Sequence, residues 1–182
     1  PSESAIRRTF ESIFRTAPRR IIVACFASHI HRIQQVLDVA ARLDKKVAVN
    51  GKSMAANRRI AVDLGHLRVP EDTLVRLEDL KGFPPDRGVI ITTGSQGEPL
   101  SAVARMAVGE HKQIEIQPGD TVIFSARVIP GNEKSIARTV NHLFRRGAQV
   151  ITEDVMPGVH VSGHGSQEEL KLMFNLTRPR FF

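Results

Sequence analysis

Apolar residues follow two spacings along this chain, and the two spacings alternate. Short unbroken apolar runs are typical of buried strands, and apolar residues that recur every three or four positions are typical of amphipathic helices. The runs predict strands at 21–26, 46–50, 89–93, 121–125 and 148–152, with shorter candidates at 74–77, 114–116 and 158–162. The helical spacing predicts helices at 4–16, 29–43, 53–64, 100–108, 133–146 and 167–176. This alternation predicts an α/β fold, a mostly parallel twisted sheet with helices on both faces.

The length and composition of the chain are typical of one globular domain. It has 182 residues, of which 41% are hydrophobic and 25% are charged, and this is enough apolar material for a core. No apolar run approaches the roughly eighteen residues that a membrane span needs, and the first residues lack the layout of a signal peptide. The single cysteine, Cys25, excludes a disulfide framework and suits a reducing cytoplasm. We therefore expect a cytoplasmic domain without membrane contact.

The charge balance favours a polyanionic partner. Lys and Arg number 26 against 19 Asp and Glu, which leaves a net charge of +7. A basic surface of this kind attracts nucleic acid, although the charge could also serve solubility alone. Trp and Tyr are absent, so few side chains are available for stacking on bases. We therefore expect any nucleic acid to be held mainly by its phosphates.

Small polar residues and glycines follow the predicted strands. Because the carboxyl ends of parallel strands meet at one edge, the helix N-termini and backbone N–H groups there face a common crevice. The pattern therefore predicts a site for phosphate or a carboxylate-bearing ligand. The alternative is plain helix capping, with Ser28, Ser53, Asn132 and Ser166 as N-caps, a capping box formed by Ser166 and Glu169, and Pro99 in a first helical turn. The turns in question are Ala27-Ser28, Gly51-Lys52-Ser53, 94–99, 129–133 and 162–166.

Two motifs that could indicate known sites fail on inspection. Gly51-Lys52-Ser53 is similar to the end of a P-loop, but that motif requires a glycine where Lys46 stands. His29 and His31 have the spacing of some metal ligands, yet at the start of a helix two residues two apart point away from each other. Neither motif supports a nucleotide or metal site.

The segment from His160 to Ser166 is the strongest candidate for chemistry. Glycines on both sides of His164 disfavour zinc binding by His160 and His164 from a helix, and no further ligand is evident nearby. A small anion pocket is more plausible, in which Ser162, Gly163 and Ser166 supply donors and the imidazole of His164 binds the anion or moves a proton. A histidine in a loop can also be an ordinary surface residue.

Five runs of residues, in this order, resemble the β-CASP domain of bacterial ribonuclease J. The resemblance covers essentially the whole chain and implies that residues 1–182 form a single β-CASP domain. Since this domain is inserted into a metallo-β-lactamase fold, and since the chain begins at Pro1, we expect an excised segment of a longer protein. The runs are Phe26-Ala27-Ser28-His29-Ile30-His31-Arg32, Gly51-Lys52-Ser53-Met54, Thr93-Gly94-Ser95-Gln96-Gly97-Glu98-Pro99, Ile129-Pro130-Gly131-Asn132-Glu133 and Val159-His160-Val161-Ser162-Gly163-His164.

The resemblance also implies an activity for the intact protein. Members of this family are zinc-dependent ribonucleases of RNA processing and decay, acting as 5′-to-3′ exonucleases on 5′-monophosphorylated RNA and also as endonucleases. Two zinc ions activate water for in-line attack, and the resemblance places their ligands outside this segment, which itself would bind no metal. The implied partners are RNA, the metallo-β-lactamase domain of the same chain, and further copies in a homodimer or homotetramer.

The resemblance assigns roles to particular residues. His164 is expected to be catalytic, close to the scissile or terminal phosphate, in a loop that binds this phosphate through Ser162, Gly163, His164, Gly165 and Ser166. A non-catalytic module that binds RNA or nucleotide phosphates is the alternative. The remaining predicted phosphate- or RNA-binding residues are Ser28, His31, Ser95, Gln96 and His160. The candidates for contact with the RNA backbone are Arg7, Arg8, Arg19, Arg20, Arg32, Lys52, Arg58, Arg59, Arg145 and Arg146.

Overall fold

The protein contains a five-stranded parallel sheet. A computed structural model describes residues 3–161 and 163–181. The strands are β1 (Ile21–Ala24), β2 (Lys46–Val49), β3 (Gly88–Thr92), β4 (Thr121–Phe124) and β5 (Gln149–Ile151). They lie in the order β2-β3-β1-β4-β5, and every neighbouring pair is parallel. The predicted α/β fold with a parallel sheet is confirmed.

Helices cover both faces of the sheet because the side chains of each strand alternate between the faces. In the described part of the chain the α-helices are α1 (Glu3–Thr16), α2 (Ile30–Arg42), α3 (Lys52–Asp63), α4 (Ala102–Val108), α5 (Glu133–Arg145) and α6 (Gln167–Thr177). Ile21 and Val23 point into a core built with α1, α2 and α3, whereas Ile22 and Ala24 point into a second core with α4 and α5. The α6 helix buries none of its described side chains.

The three shorter strand predictions are wrong in the described residues. Of 74–77, only Leu74 pairs, in a single bridge to Val47 at the sheet edge. Residues 114–116 and 158–161 form no strand. In all three segments the apolar residues serve burial, since Leu74 packs on the first core, Ile114 lies in the second and Val159 in the first. In these segments the apolar run therefore indicated burial, but it did not indicate that the backbone pairs with a neighbouring strand.

Two helix starts differ from the capping predictions. His29 caps α2 in place of Ser28, because its Nδ1 accepts a hydrogen bond from the backbone N–H of Arg32 at 3.1 Å. Gly51 caps α3 in place of Ser53, with a φ of 107° and no side-chain hydrogen bond. The ring of His29 thus takes the place of the predicted serine hydroxyl at the start of α2, and Gly51 takes its place at the start of α3.

The later helix starts give a mixed result. Asn132 is the N-cap of α5, but its side chain makes no capping hydrogen bond. Pro99 lies ahead of α4, which begins after Ser101 as its cap. The capping box of Ser166 and Glu169 at α6 is confirmed. The capping box requires a suitable residue at two positions, and it was a more reliable sequence signature than a single capping residue.

The amino edge of the sheet is held by a buried ion pair. The carboxylate of Asp120 is fully buried and accepts hydrogen bonds from Arg20 at 3.2 and 2.5 Å, with Arg19 at 3.5 Å. This edge lies opposite the carboxyl ends of the strands, so these two arginines are engaged far from the predicted site. No helix in the described ranges is long and apolar enough to cross a membrane.

Candidate functional site

Three cavities adjoin one another along the carboxyl edge of the sheet. The central one, which we call the His164 cavity, has a volume of about 670 Å³. On one side it shares His29 with the Ser28 cavity of about 560 Å³, and on the other it shares Arg127 and Val128 with the Ser95 cavity of about 740 Å³. The described residues that line the His164 cavity are Phe26, His29, Arg127, Val128, Ile129, Pro130, His160, Val161, Gly163 and His164.

The His164 cavity is built from three separate parts of the chain. Phe26 and His29 come from the turn after β1, residues 127–130 come from the turn after β4, and the remaining wall is the segment after β5. This is the crevice at which open parallel sheets bind ligands. The predicted convergence at this edge therefore holds for His160, Gly163 and His164.

The charges around the His164 cavity suit an anion. None of its described lining residues is acidic, and they include the Arg127 side chain and the imidazoles of His29, His160 and His164. Phe26, 37% exposed, adds a flat apolar surface. Cationic and imidazole donors beside an aromatic ring can bind a phosphate and an attached planar group.

The segment that carries the two histidines is anchored by its valines. Val159 is fully buried and Val161 is 6% exposed, both in the first core. Because side chains alternate in extended backbone, His160 between them is directed away from that core, and it lines the cavity. Ser162 lies outside the described residues, and its predicted phosphate contact stays a prediction. Beyond it, Gly163 and His164 are exposed.

Gly163 has no evident structural reason to be glycine. A Cβ added there would meet no atom within 4 Å, and its φ lies outside the left-handed region. Glycine is otherwise favoured where a backbone must come close to another group. Since Gly163 lines the cavity, a bound ligand is a natural candidate for that group.

Ser28 and His31 lie together in the neighbouring Ser28 cavity. Both are exposed and come from the start of α2, and α3 forms the opposite wall with Asn57 and Ile60. The structure therefore places these two predicted residues beside the His164 cavity rather than in it. Among the residues that the structure describes, only His29 lines both cavities.

Gln96 is buried and holds the turn after β4. Its amide nitrogen donates to the carbonyl of Arg127 at 2.9 Å, and its amide oxygen accepts from the backbone N–H of Ile129 at 2.9 Å. The oxygen also accepts from Asn132 at 3.2 Å. Ser95, only 3% exposed, lines the Ser95 cavity. The predicted RNA contacts of these two residues stay predictions, while the position of Gln96 shows that it supports the wall that contains Arg127.

Gly165 and Ser166 are exposed and lie outside the lining of the His164 cavity. The backbone N–H of Ser166 donates to the Glu169 carboxylate at 2.6 Å, which lowers the pKa of that carboxyl group. In return, the Ser166 hydroxyl accepts from the Glu169 N–H at 3.5 Å. The Ser166 hydroxyl is thus engaged at the start of α6, and the predicted phosphate contacts of both residues remain predictions.

Some residues of the site were missed or misplaced by sequence reasoning. Arg127 lines the cavity but was missed, because the turn after β4 was predicted to begin at Ile129. Its position three residues after the end of β4 was the available signal. Phe26 was noted only within a larger motif, and His29 only within that motif and as a metal ligand that was rejected. Arg32 was expected to contact the RNA backbone, but its side chain is fully buried.

The described residues offer no metal site of their own. Across 3–161 and 163–181, no group of three or more His, Cys, Asp and Glu side chains could hold a metal ion. The zinc ions that the family resemblance implies, and the place of their ligands, stay predictions. Burial raises the pKa of the Cys25 thiol to about 12, so it is not a nucleophile near neutral pH.

Comparison with known proteins gives a consistent family. A family described as "Ribonuclease J, beta-CASP domain" matches residues 18–143. The chain is 48% identical to Ribonuclease J of Thermus thermophilus over 182 residues, 45% to Ribonuclease J2 of Bacillus subtilis over 181 residues, and 42% to Ribonuclease J of Helicobacter pylori over 182 residues. These matches cover 100% of the chain but only 31%, 32% and 26% of the three relatives. The chain therefore spans about a third or less of their length.

Proposed function

This chain belongs to the β-CASP domain family of ribonuclease J, and from that premise we propose that it forms the RNA-binding side of a ribonuclease active site. The intact protein hydrolyses RNA, with 5′-to-3′ exonuclease action on 5′-monophosphorylated ends and endonuclease action as well. A metallo-β-lactamase domain of the same protein supplies the zinc ligands. The observation that carries the proposal is the His164 cavity at the carboxyl edge of the sheet, whose described lining residues include three imidazoles and one guanidinium and no acidic side chain.

Within this proposal the cavity binds the terminal or scissile phosphate. The Arg127 guanidinium donates to the phosphate oxygens, and the backbone at Gly163 approaches them closely because no side chain stands between. His164 binds the same phosphate and is placed to hold or move a proton at an oxygen of the reacting group. Phe26 offers its ring to the base of the bound nucleotide. The net charge of +7 favours the approach of RNA.

The decisive experiment is the substitution His164→Ala in the full-length protein. We expect the rate of cleavage of a 5′-monophosphorylated RNA to fall on the order of a hundredfold to ten-thousandfold, the usual contribution of a positioned acid or base. Zinc content, measured by atomic emission, should stay unchanged. The matched control is His142→Ala on α5, a histidine outside the three cavities of the carboxyl edge. Wild-type cleavage by His164→Ala, or an equal loss in the control, would contradict the proposed role.

A second candidate function is RNA binding without chemistry by this segment alone. The observation in its favour is that the described residues form an anion cavity but no metal cluster. It predicts that log affinity for single-stranded RNA falls linearly as log salt rises, with a slope of roughly −0.7 per neutralised phosphate. Arg127→Gln should make that slope shallower by about that amount. Metal-dependent cleavage of RNA by the 182-residue chain would refute this alternative.

A further inference from the structure

Arg32 is a fully buried arginine that lies against Phe10 of the first core. It is first by volume among the fully buried side chains of the described residues. Charged side chains are almost never buried completely unless specific partners hold them. Its partners therefore indicate why an arginine stands here.

The guanidinium joins two parts of the chain that are far apart in sequence. Nη1 of Arg32 lies 3.1 Å from the carbonyl oxygen of Ser125 and 3.1 Å from that of Val159, and it also donates to the Ser125 hydroxyl. The Ser125 hydroxyl in turn donates to the Val159 carbonyl at 2.5 Å. The ring of Phe10 from α1 covers the guanidinium at 5.9 Å.

These contacts lie directly beneath the walls of the His164 cavity. Val159 precedes His160, and Ser125 stands two residues before Arg127. The backbone N–H of Arg32 also donates to Nδ1 of His29 at 3.1 Å. With Nδ1 as acceptor, the neutral ring of His29 carries its hydrogen on Nε2. Arg32 therefore contacts one lining residue, His29, and the residues just before the two other described parts of the lining, Ser125 and Val159.

We propose that Arg32 is a positioning residue, which sets the place of the His160–His164 segment by holding the Val159 carbonyl against the end of β4. The proposal rests on the proposed function of the cavity. Neither a lysine nor a methionine can replace this contact fully. The lysine side chain is one bond shorter, so its ammonium nitrogen does not reach the position of Nη1, and methionine leaves the Ser125 and Val159 carbonyls without the guanidinium donor.

The test compares Arg32→Met and Arg32→Lys with Arg20→Met in the full-length protein. Arg20 is a suitable control because it also bonds a buried group, the Asp120 carboxylate, together with the exposed Glu115 carbonyl at 2.6 Å, but at the opposite edge of the sheet. Hydrogen–deuterium exchange of residues 157–164 should become at least about tenfold faster in Arg32→Met, because the segment loses its anchor. Arg32→Lys should show a smaller increase, and Arg20→Met should leave this segment unchanged while both Met variants lower the melting temperature.

The activity of the same variants separates positioning from general stability. We expect kcat for 5′-monophosphorylated RNA to fall up to about a hundredfold in Arg32→Met, the effect of a displacement near 1 Å at a reacting group. KM should change less, and Arg20→Met should retain the wild-type kcat at a temperature where it is folded. If Arg32→Met fails to fold, Ser125→Ala tests the same junction more mildly, since it removes the hydroxyl that links the guanidinium to the Val159 carbonyl and leaves the direct bond of Arg32 in place.

The outcomes distinguish this inference from the proposed function. Unchanged exchange at 157–164 in the Arg32 and Ser125 variants would overturn the positioning role, even if His164→Ala abolishes cleavage. Faster exchange with unchanged kcat would overturn it as well, because the segment would then be held for stability alone. If His164→Ala cleaves normally while Arg32→Met does not, the proposed role of His164 fails and the role of Arg32 belongs to another part of the cavity wall.

Discussion

Two glycine-containing turns at the carboxyl edge of the sheet are built in opposite ways. The turn at 94–98 is packed into the protein. Gly94 and Gly97 have φ values of 106° and 70°, and a Cβ on Gly97 would lie 2.6 Å from the backbone of Ser135 in α5. The segment at 163–165 is exposed, and a Cβ on Gly163 would meet no atom within 4 Å.

The difference shows that glycines in a turn have two separate causes. In the first turn they are required by left-handed backbone and by close neighbours, α5 at Gly97 and the start of α4 at Gly94, so they reveal nothing about a ligand. At Gly163 the protein itself imposes no such requirement, and the residue lines a cavity. Only the second kind of glycine is evidence for a binding site. The buried turn supports the site and the exposed segment is available to contact a ligand.

The largest effect is expected at Gly97. The variant Gly97→Ala combines an unfavourable φ with a clash against backbone that cannot move aside, and together these should lower the free energy of unfolding by about 2–4 kcal/mol. Urea denaturation of the 182-residue chain measures this. Gly82→Ala is the control, because Gly82 lies outside the left-handed region and a Cβ there meets nothing within 4 Å. Equal stabilities of the two variants would remove the contrast between packed and open glycines.

Next in size is the loss of the buried amide of Gln96. In Gln96→Ala the carbonyl of Arg127 and the N–H of Ile129 lose their partner, which should reduce stability by about 1–3 kcal/mol. The control is Gln113→Ala. The side-chain amide of Gln113 donates to the exposed Glu78 carboxylate at 2.9 Å, so its loss leaves no buried group without a partner there. RNA binding by Gln96→Ala should also weaken if the wall around Arg127 loosens. A Gln96→Ala variant as stable as the control would show that the turn does not depend on this amide.

We expect the free energy of unfolding to depend on pH through His111, whose hydrogen bonds support the packed part of the carboxyl edge of the sheet. Its Nδ1 accepts from the N–H groups of Gln113 at 3.3 Å and Ile114 at 3.1 Å, and its Nε2 lies 3.1 Å from the Asn50 amide nitrogen. Burial, together with the charge of Arg105, lowers the pKa of His111 below its ordinary value of 6.5.

Because the folded state binds this proton less tightly than the unfolded state, the contribution to stability is complete above pH 6.5 and declines as the pH falls through the lowered pKa. Denaturation at a series of pH values from 8 to about 5 tests this range. His111→Asn, which keeps an acceptor near the Nδ1 position without titrating, should flatten the decline. The control is His66→Asn at an exposed histidine, which should show the same decline in stability as the wild type. An unaltered decline in His111→Asn would assign the pH dependence to other groups.

The smallest effect on stability is expected at Gly163. Gly163→Ala should change the free energy of unfolding by no more than about 0.5 kcal/mol, as for other open surface positions. Its affinity for 5′-monophosphorylated RNA should nevertheless fall on the order of tenfold, because the added methyl group occupies space that the ligand needs. Fluorescence anisotropy with Gly82→Ala as control measures this. Unchanged affinity would mean that no ligand approaches the backbone at Gly163.

Much of the fold was predictable from the sequence because burial on a two-sided sheet leaves a direct trace. Runs such as Ile21-Ile22-Val23 are apolar at every position, since alternate side chains enter different cores. The predictions failed where an apolar residue serves burial without strand pairing. Leu74 and Ile114 are buried or packed against a core, but their segments form a single bridge or none. Periodicity records exposure, and pairing depends on where a neighbouring strand lies.

The candidate site divides in the same way. By itself the sequence determined the α/β class, the edge at which the turns meet, and the segment that carries His160 and His164, because each depends on local spacing. The positions of Arg32, Arg127 and Gln96, and the contacts they make, were decided only by the tertiary structure. Arg32 and Val159 are 127 residues apart, and Gln96 and Arg127 are 31 apart. Hydrogen bonds over such separations have no periodic signature, so only the folded chain shows that an arginine expected at the surface is buried beneath the site.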